Sequence, residues 1–178
     1  MEDFVKEVLV STEEIEAKVE ELGQQITNDY EGKNLMLVGI LKGAVIFMSD
    51  LARSIEIPVE MDFMAVSSYG DSSTSTGVVR LWKDLDSSSE GKELVIIKDR
   101  IDTGLTLSYL IDNLKKRGAS SVKVCTLLDK PDRRKIEVPV AYRGFIIPDE
   151  FVIGYGIDYA QKYRNLPYVA ALKEEVYS

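Results

Sequence analysis

A chain of 178 residues with 45% apolar content is large enough to close one sizeable core, and a single domain over 1–178 is the expectation. Its 22 basic and 30 acidic residues leave a net charge of −8, which argues against a general nucleic-acid surface but leaves room for a local basic pocket holding a small anion. With no histidine and one cysteine, proton transfer falls to carboxylate, lysine, tyrosine or water, histidine metal sites are excluded, and no intrachain disulfide can form.

The lone Cys125 thiol and the lack of a secretion-like leader point to a reducing, cytoplasmic setting. The longest strongly apolar run, 35–41, is far too short to span a bilayer, so no membrane partner is expected. Ser11 and Glu14 form a capping-box pattern, and Ile15, Val19, Leu22 and Ile26 then repeat at helical spacing until Gly32. Residues 34–40 read as a buried strand, 41–43 ("LKG") as a tight turn and 44–54 as a helix. A second strand is predicted at 57–66. The Ser, Thr and Gly-rich stretch 67–77 then reads as a mobile loop or a long hairpin connection. Strand character resumes in "VVRLWKDL" (78–85), 86–93 is a solvated turn, and "LVII" (94–97) is a central strand.

That strand runs into "KDRIDTGLTLSYL" (98–110). Leu107, Leu110, Ile111 and Leu114 mark one face of the helix that follows, with Lys115, Lys116 and Arg117 near its C-terminus and Gly118 beyond. Residues 121–130 form another buried strand. The repeated strand, helix, strand order predicts an α/β fold with a mostly parallel sheet flanked by helices. The tail, 144–172, mixes short strand-like pieces with turns and six aromatic residues, which suggests a small lobe folded over the sheet.

Ligands of parallel α/β sheets bind beyond the carboxyl ends of the strands. A helix starting there offers unpaired N–H groups and the positive end of its dipole. Thr103 and Thr106 add hydroxyls and Gly104 permits close backbone approach, so 102–106 is shaped to cradle one phosphate monoester. Asp99 and Asp102 beside that pocket would hold sugar hydroxyls, a divalent cation through water, or a proton. The plainer reading is that Asp102 and Thr103 only cap the helix. Neither a G-x-G-x-x-G fingerprint nor a G-x-x-x-x-G-K-[ST] P-loop is present.

"LVIIKDRIDTGLTLSYL" resembles the phosphoribosyl-pyrophosphate motif of the purine phosphoribosyltransferases. With "VGILKGAVIFMSDL", "SSYG", "VRLWKDLD", "LLDKPDRR" and "IPDEFVIGYGIDYAQKYRNLPYV", the likeness extends over about 8–176 and is to the bacterial type of hypoxanthine-guanine phosphoribosyltransferase. It implies a type I phosphoribosyltransferase fold with a mobile loop and a C-terminal hood formed mainly by about 138–170, with a possible N-terminal contribution. It further implies transfer of the phosphoribosyl group of phosphoribosyl pyrophosphate to hypoxanthine or guanine, giving IMP or GMP and pyrophosphate in purine salvage. Magnesium is the implied cofactor, and a homodimer or homotetramer the implied assembly.

By the same resemblance, Asp102 is the acid beside N7 of the base, and Asp102, Thr103, Gly104, Leu105 and Thr106 hold the 5′-phosphate. Leu41, Lys42, Gly43 and Arg164 hold pyrophosphate, the first three in a loop where the family places an often cis non-proline peptide. Lys130 donates to O6, Phe151 stacks on the purine, the backbone at Val152 reads the base edge, and Asp158 lies on the base and metal side. Asp99 serves the ribose and, with Asp158, the metal through water; Ser68 and Tyr69 begin the mobile loop. Taken alone, Lys130 reads as a solvated strand end, Phe151 as core, and Asp158 with Arg164 as a surface ion pair.

The chain departs from the family pattern at Lys98, where an acid for the ribose is expected, and at Arg100, where an apolar residue is common. Trp82 also replaces a smaller apolar residue and hints at altered packing or a dimer contact. Lys98 motivates two expectations: weakened turnover with a raised magnesium requirement, or a nucleotide-binding regulator without catalysis. A xanthine-preferring transferase is a third alternative.

Overall fold

A computed structural model describes residues 2–68 and 79–178. A 3-10 turn, Glu2–Phe4, leads into strand β1 (Val5–Val10) and helix α1 (Thr12–Asp29). The α1 capping box forms as its sequence requires: Ser11 Oγ accepts from the Glu14 N–H and Glu14 accepts from the Ser11 N–H, which together stabilise the helix start by about 1 kcal/mol. Then follow β2 (Leu35–Leu41), α2 (Val45–Arg53), β3 (Glu60–Ser68), β4 (Val79–Lys83), β5 (Glu93–Ile101), α3 (Leu105–Lys116) and β6 (Ser121–Asp129). A short 3-10 turn (Pro131–Arg133), β7 (Val140–Ile146), β8 (Val152–Ile153), β9 (Val169–Leu172) and α4 (Glu174–Tyr177) complete the order.

The main sheet has strand order β4-β3-β2-β5-β6-β7, parallel throughout except for the antiparallel β3–β4 edge. Its central strands are apolar without a break because both faces are covered. Leu35 and Leu37 of β2, with Val95 and Ile97 of β5, pack in one cluster with Phe47, Met48 and Leu51 of α2 and the apolar stripe of α1. Met36, Val38 and Ile40, with Leu94 and Ile96, pack on the other face with Leu107, Leu110, Ile111 and Leu114 of α3. Alternate residues of one strand therefore feed two cores.

A second, three-stranded sheet, β1-β9-β8, is antiparallel and covers a smaller cluster of Ile153, Leu166, Ala170 and Leu172. Two details differ from the sequence reading. Val140–Ile146, expected within the hood, is the outer strand of the main sheet, paired parallel to β6. The hood sheet instead takes in Val5–Val10, which carries little strand signal because Lys6, Glu7 and Val8 in succession are exposed, without alternation, and only Val10 is buried. Its strand character comes from pairing with β9. Trp82 does not alter core packing: its ring is 64% exposed on edge strand β4, lies beneath Arg80, and its Nε1 donates to Ser67 Oγ at 2.8 Å. Among the described residues no helix is long and apolar enough to cross a membrane.

Candidate active site

Strands β2, β5 and β6 end on the same side of the sheet, and each delivers candidate residues there. After β5 the chain turns through Asp102, Thr103 and Gly104 into α3. Gly104 is the N-cap residue, in the left-handed conformation at φ 85°, and makes no side-chain cap. A Cβ there would lie 2.7 Å from the Ile136 carbonyl oxygen, so the position is closed to other residues on two counts. Asp102 is therefore not the helix cap, and the plainer reading of it falls. Thr103 does act locally: its Oγ1 accepts from the Leu105 N–H at 3.3 Å, so that amide already has a partner within the turn. Its carbonyl accepts from the N–H groups of Lys135 and Ile136 at 2.9 and 3.2 Å, which ties the turn to the segment after β6.

Asp102 faces a pocket of about 330 Å³ bounded also by Arg100, Lys130, Asp149, Phe151 and Val152. One carboxylate oxygen, Oδ2, lies 3.7 Å from Arg100 Nε. The other, Oδ1, is buried, accepts no hydrogen bond from the protein, and lies 3.9 Å from Lys130 Nζ. A buried carboxylate oxygen without a donor is costly, commonly about 1–3 kcal/mol or more, and a ligand N–H would relieve it.

Lys130 is 7% exposed, which excludes a solvated strand end. Its Nζ donates to the Glu150 carbonyl at 2.7 Å and stands 3.7 Å from Asp149 Oδ1, leaving donor capacity toward the pocket. Burial pulls its pKa below the ordinary lysine value; Asp102 and Asp149 oppose that pull, while Arg100 and Arg133 add to it. Phe151 is 40% exposed and so is no core residue, whereas Val152 is buried. Phe151 stacks on Tyr177 with centroids 4.7 Å apart and meets Tyr159 edge-on at 5.6 Å.

A second group of residues gathers around the end of β2. The Leu41–Lys42 peptide is cis, as the resemblance implied. Gly43 packs so closely on Asp99 that a Cβ would sit 2.5 Å from Oδ2. Asp99 is nearly buried and pairs with Lys98 at 3.6 Å. Burial works against its ionisation, but the charges of Lys98 and Arg100 and N–H donation from the Arg100 and Asp99 backbones outweigh it. The carboxyl is held below the usual carboxylate value. Arg164 donates to the Gly156 carbonyl at 2.8 Å and to Gln161 Oε1 at 3.0 Å, and lies 3.5 Å from Asp158. Lys42 reaches the same Gln161 oxygen at 3.4 Å. Asp158 is thus paired with Arg164 and grouped through Gln161 with Lys42. Its pairing with Arg164 matches the plain ion-pair reading. Ser68 ends β3, and Tyr69 lies outside the described residues.

Sequence reasoning missed the residues that hold the α3 turn in place. Asp129, fully buried at the end of β6, binds Arg134 and also accepts from Arg143 Nε at 2.8 Å. Arg134 in turn donates from Nε to the Asp102 carbonyl at 3.2 Å. The available signal was an acid closing the apolar run "VCTLLD" with arginines close behind, because a buried acid requires such partners.

A strand-to-helix turn, a pocket beside it lined by both basic and acidic side chains, and an exposed aromatic ring are the parts of an α/β enzyme's ligand site, and comparison with known proteins makes the class specific. Residues 7–160 match the phosphoribosyl transferase domain model. A hypoxanthine-guanine phosphoribosyltransferase of Streptococcus thermophilus is 52% identical over 100% of this chain and 99% of its own. A hypoxanthine phosphoribosyltransferase structure from Staphylococcus aureus superposes with a TM-score of 0.97 at 51% identity, covering 100% of this chain and 97% of that one. The chain belongs to the bacterial hypoxanthine-guanine phosphoribosyltransferase family. It also matches the bifunctional protein TilS/HprT of Listeria monocytogenes at 52% identity, and there it spans only 28% of the relative's length.

Proposed function

We propose that this chain transfers the 5-phosphoribosyl group of phosphoribosyl pyrophosphate to a 6-oxopurine, hypoxanthine or guanine, forming IMP or GMP and releasing pyrophosphate. The observation that carries the reading is the buried, donor-less Oδ1 of Asp102, set between the α3 mouth and the pocket of Lys130 and Phe151. In this reading the bond from the anomeric carbon to the pyrophosphate oxygen breaks, a bond to the purine nitrogen forms, and Asp102 takes the proton the base gives up. Lys130 donates to the 6-oxo group and disfavours an amino group at that position. Phe151 carries the ring face and the Val152 backbone reads the base edge. The turn 102–106 holds the 5′-phosphate by amides and hydroxyls at a helix start.

Lys42, Gly43 and Arg164 take the pyrophosphate side, and Arg164 offers the planar fork suited to that anion. Among the described residues no group of three or more acidic, Cys or His side chains could form a metal cage. The donors fit an ion held through water by one or two carboxylates, Asp99 and Asp158, while its phosphate ligands come from the substrate. Bound there, magnesium would neutralise charge on the leaving pyrophosphate. The chain would act as one unit, its hood built from β1, β8 and β9. A dimeric or tetrameric, cytoplasmic enzyme completes the proposal, in keeping with the buried free thiol of Cys125.

The test is product formation from phosphoribosyl pyrophosphate with hypoxanthine, guanine or xanthine, with and without magnesium. IMP and GMP are the expected products, and their absence overturns the assignment. One observation favours a second reading, a nucleotide-binding regulator: the Lys98 ammonium neutralises Asp99 at the ribose and metal side. Binding of GMP without any turnover would select it.

A further inference from the structure

The C-terminal turn α4 is only four residues long, yet it is fixed at both its ends and places one ring in the base pocket. Lys173 N–H donates to the Phe4 carbonyl at 2.9 Å. The Val176 carbonyl accepts from Tyr159 Oη at 3.1 Å. Immediately after the second anchor, Tyr177 lies nearly parallel to Phe151, with 19° between the ring planes, while Tyr159 meets the same Phe151 edge-on at 80°. Phe151 is thus held from two directions, by a Tyr159 ring tied through its hydroxyl to the Val176 carbonyl and by the ring of the residue next to that carbonyl, Tyr177. Its own carbonyl is fixed by the Leu172 N–H at 2.8 Å.

We propose that Tyr177 is a positioning residue for the nucleobase: by stacking on Phe151 it fixes the plane of the platform and completes that wall of the pocket. The inference rests on the transferase reading above and concerns a residue to which that reading gives no role. A ring stacked on the platform could instead occupy the place of the base. The pocket argues against this, because about 330 Å³ remains open between Lys130, Asp102 and Phe151 with Tyr177 in its wall. A side chain that sets an aromatic plane reduces the rotational freedom lost when a base binds, so its effect belongs to base binding and not to the chemical step.

The experiment compares the wild-type chain with Tyr177→Ala and Tyr177→Phe. Measured quantities are KM for hypoxanthine, KM for phosphoribosyl pyrophosphate, kcat, and the dissociation constant of GMP by calorimetry. An aromatic pair of ordinary strength corresponds to about a three- to tenfold effect. Tyr177→Ala is expected to raise KM for hypoxanthine and the GMP dissociation constant by that factor. KM for phosphoribosyl pyrophosphate and kcat should stay within about twofold. Tyr177→Phe should restore wild-type values, since the ring and not the hydroxyl makes the stack. An unchanged or lowered hypoxanthine KM in Tyr177→Ala overturns the proposal, as does an equal rise for both substrates. If wild type binds GMP but makes no product, the transferase reading fails alone and the GMP series still decides the role of Tyr177. If wild type binds no GMP, both fall.

Discussion

Asp102 sits where three demands meet. Its backbone carbonyl is held by Arg134, one carboxylate oxygen faces Arg100, and the other is buried without a donor near Lys130. Replacing it by Asn keeps the size but removes the proton acceptor. Turnover should fall by about 10²-fold or more while GMP binding survives, as product assays and calorimetry on the variant would establish. Lys130 gives a pH signature. Its ammonium deprotonates below the ordinary lysine range because it is buried, so donation to a 6-oxo group is lost as pH rises through that lowered value. The alkaline fall of 1/KM for hypoxanthine should therefore begin below the usual lysine value of 10.5. In Lys130→Arg, whose guanidinium does not titrate in reach, that limb should vanish.

Lys98 and Asp99 have the opposite sign. The Asp99 carboxyl is held below its unfolded value, so its contribution to stability is present above that value and is lost as pH falls through the folded one. In Lys98→Glu the main compensating charge becomes a like charge, and burial is left unopposed by it. Urea unfolding from pH 5 down to about pH 3 should show the wild type losing more stability than Lys98→Glu. The same variant should reach half-maximal turnover at lower magnesium. A variant that needs as much magnesium as wild type would remove Lys98 from the account of the metal side.

Between residue and molecule, the decisive element is the junction of β5 and α3 with the segment that follows β6. A helix start exposes N–H groups wherever it occurs, but here its position is set from outside. Arg134 links buried Asp129 to the Asp102 carbonyl, and Thr103 accepts from Lys135 and Ile136. Arg134→Met should loosen the turn and leave Asp129 with Arg143 as its remaining strong partner. A loss of about 2–3 kcal/mol in urea unfolding is expected, together with a several-fold rise in KM for phosphoribosyl pyrophosphate. A stability loss with unchanged KM would mean that the strap serves the fold and not the turn. The helix itself was legible beforehand, since Leu107, Leu110, Ile111 and Leu114 mark its buried stripe. The strap was not, because the Arg134 side chain reaches a backbone carbonyl 32 positions back, a pairing no local period encodes.

At the scale of the whole molecule, two sheets divide the labour. The main sheet aims β2, β5 and β6 at the site, and the small hood sheet carries β8 and, just before it, Phe151. β9 lies between β1 and β8, so the N-terminal strand supports the Phe151 wall of the pocket from a distance. Deleting residues 2–10 should lower Tm by several degrees, about 4 °C or more, and weaken GMP binding, both measurable on the truncated chain. Retained binding would show that β1 is dispensable to the pocket.

Local chemistry, by itself, determined the alternation of strands and helices, the two-sided burial of β2 and β5, the capping of α1 and the strand-to-helix turn at 102–106. Each of these depends on neighbours a few residues apart, through pleat, helical period or backbone conformation. Tertiary structure alone decided that β7 joins the main sheet and β1 the hood, that Asp158 lies with Arg164 and, through Gln161, Lys42, and that Tyr177 reaches Phe151. Those placements arise from pairing and packing between segments remote in the chain. An edge strand with exposed, non-alternating side chains or a four-residue C-terminal turn has almost no pattern of its own; its place is set by what it docks against.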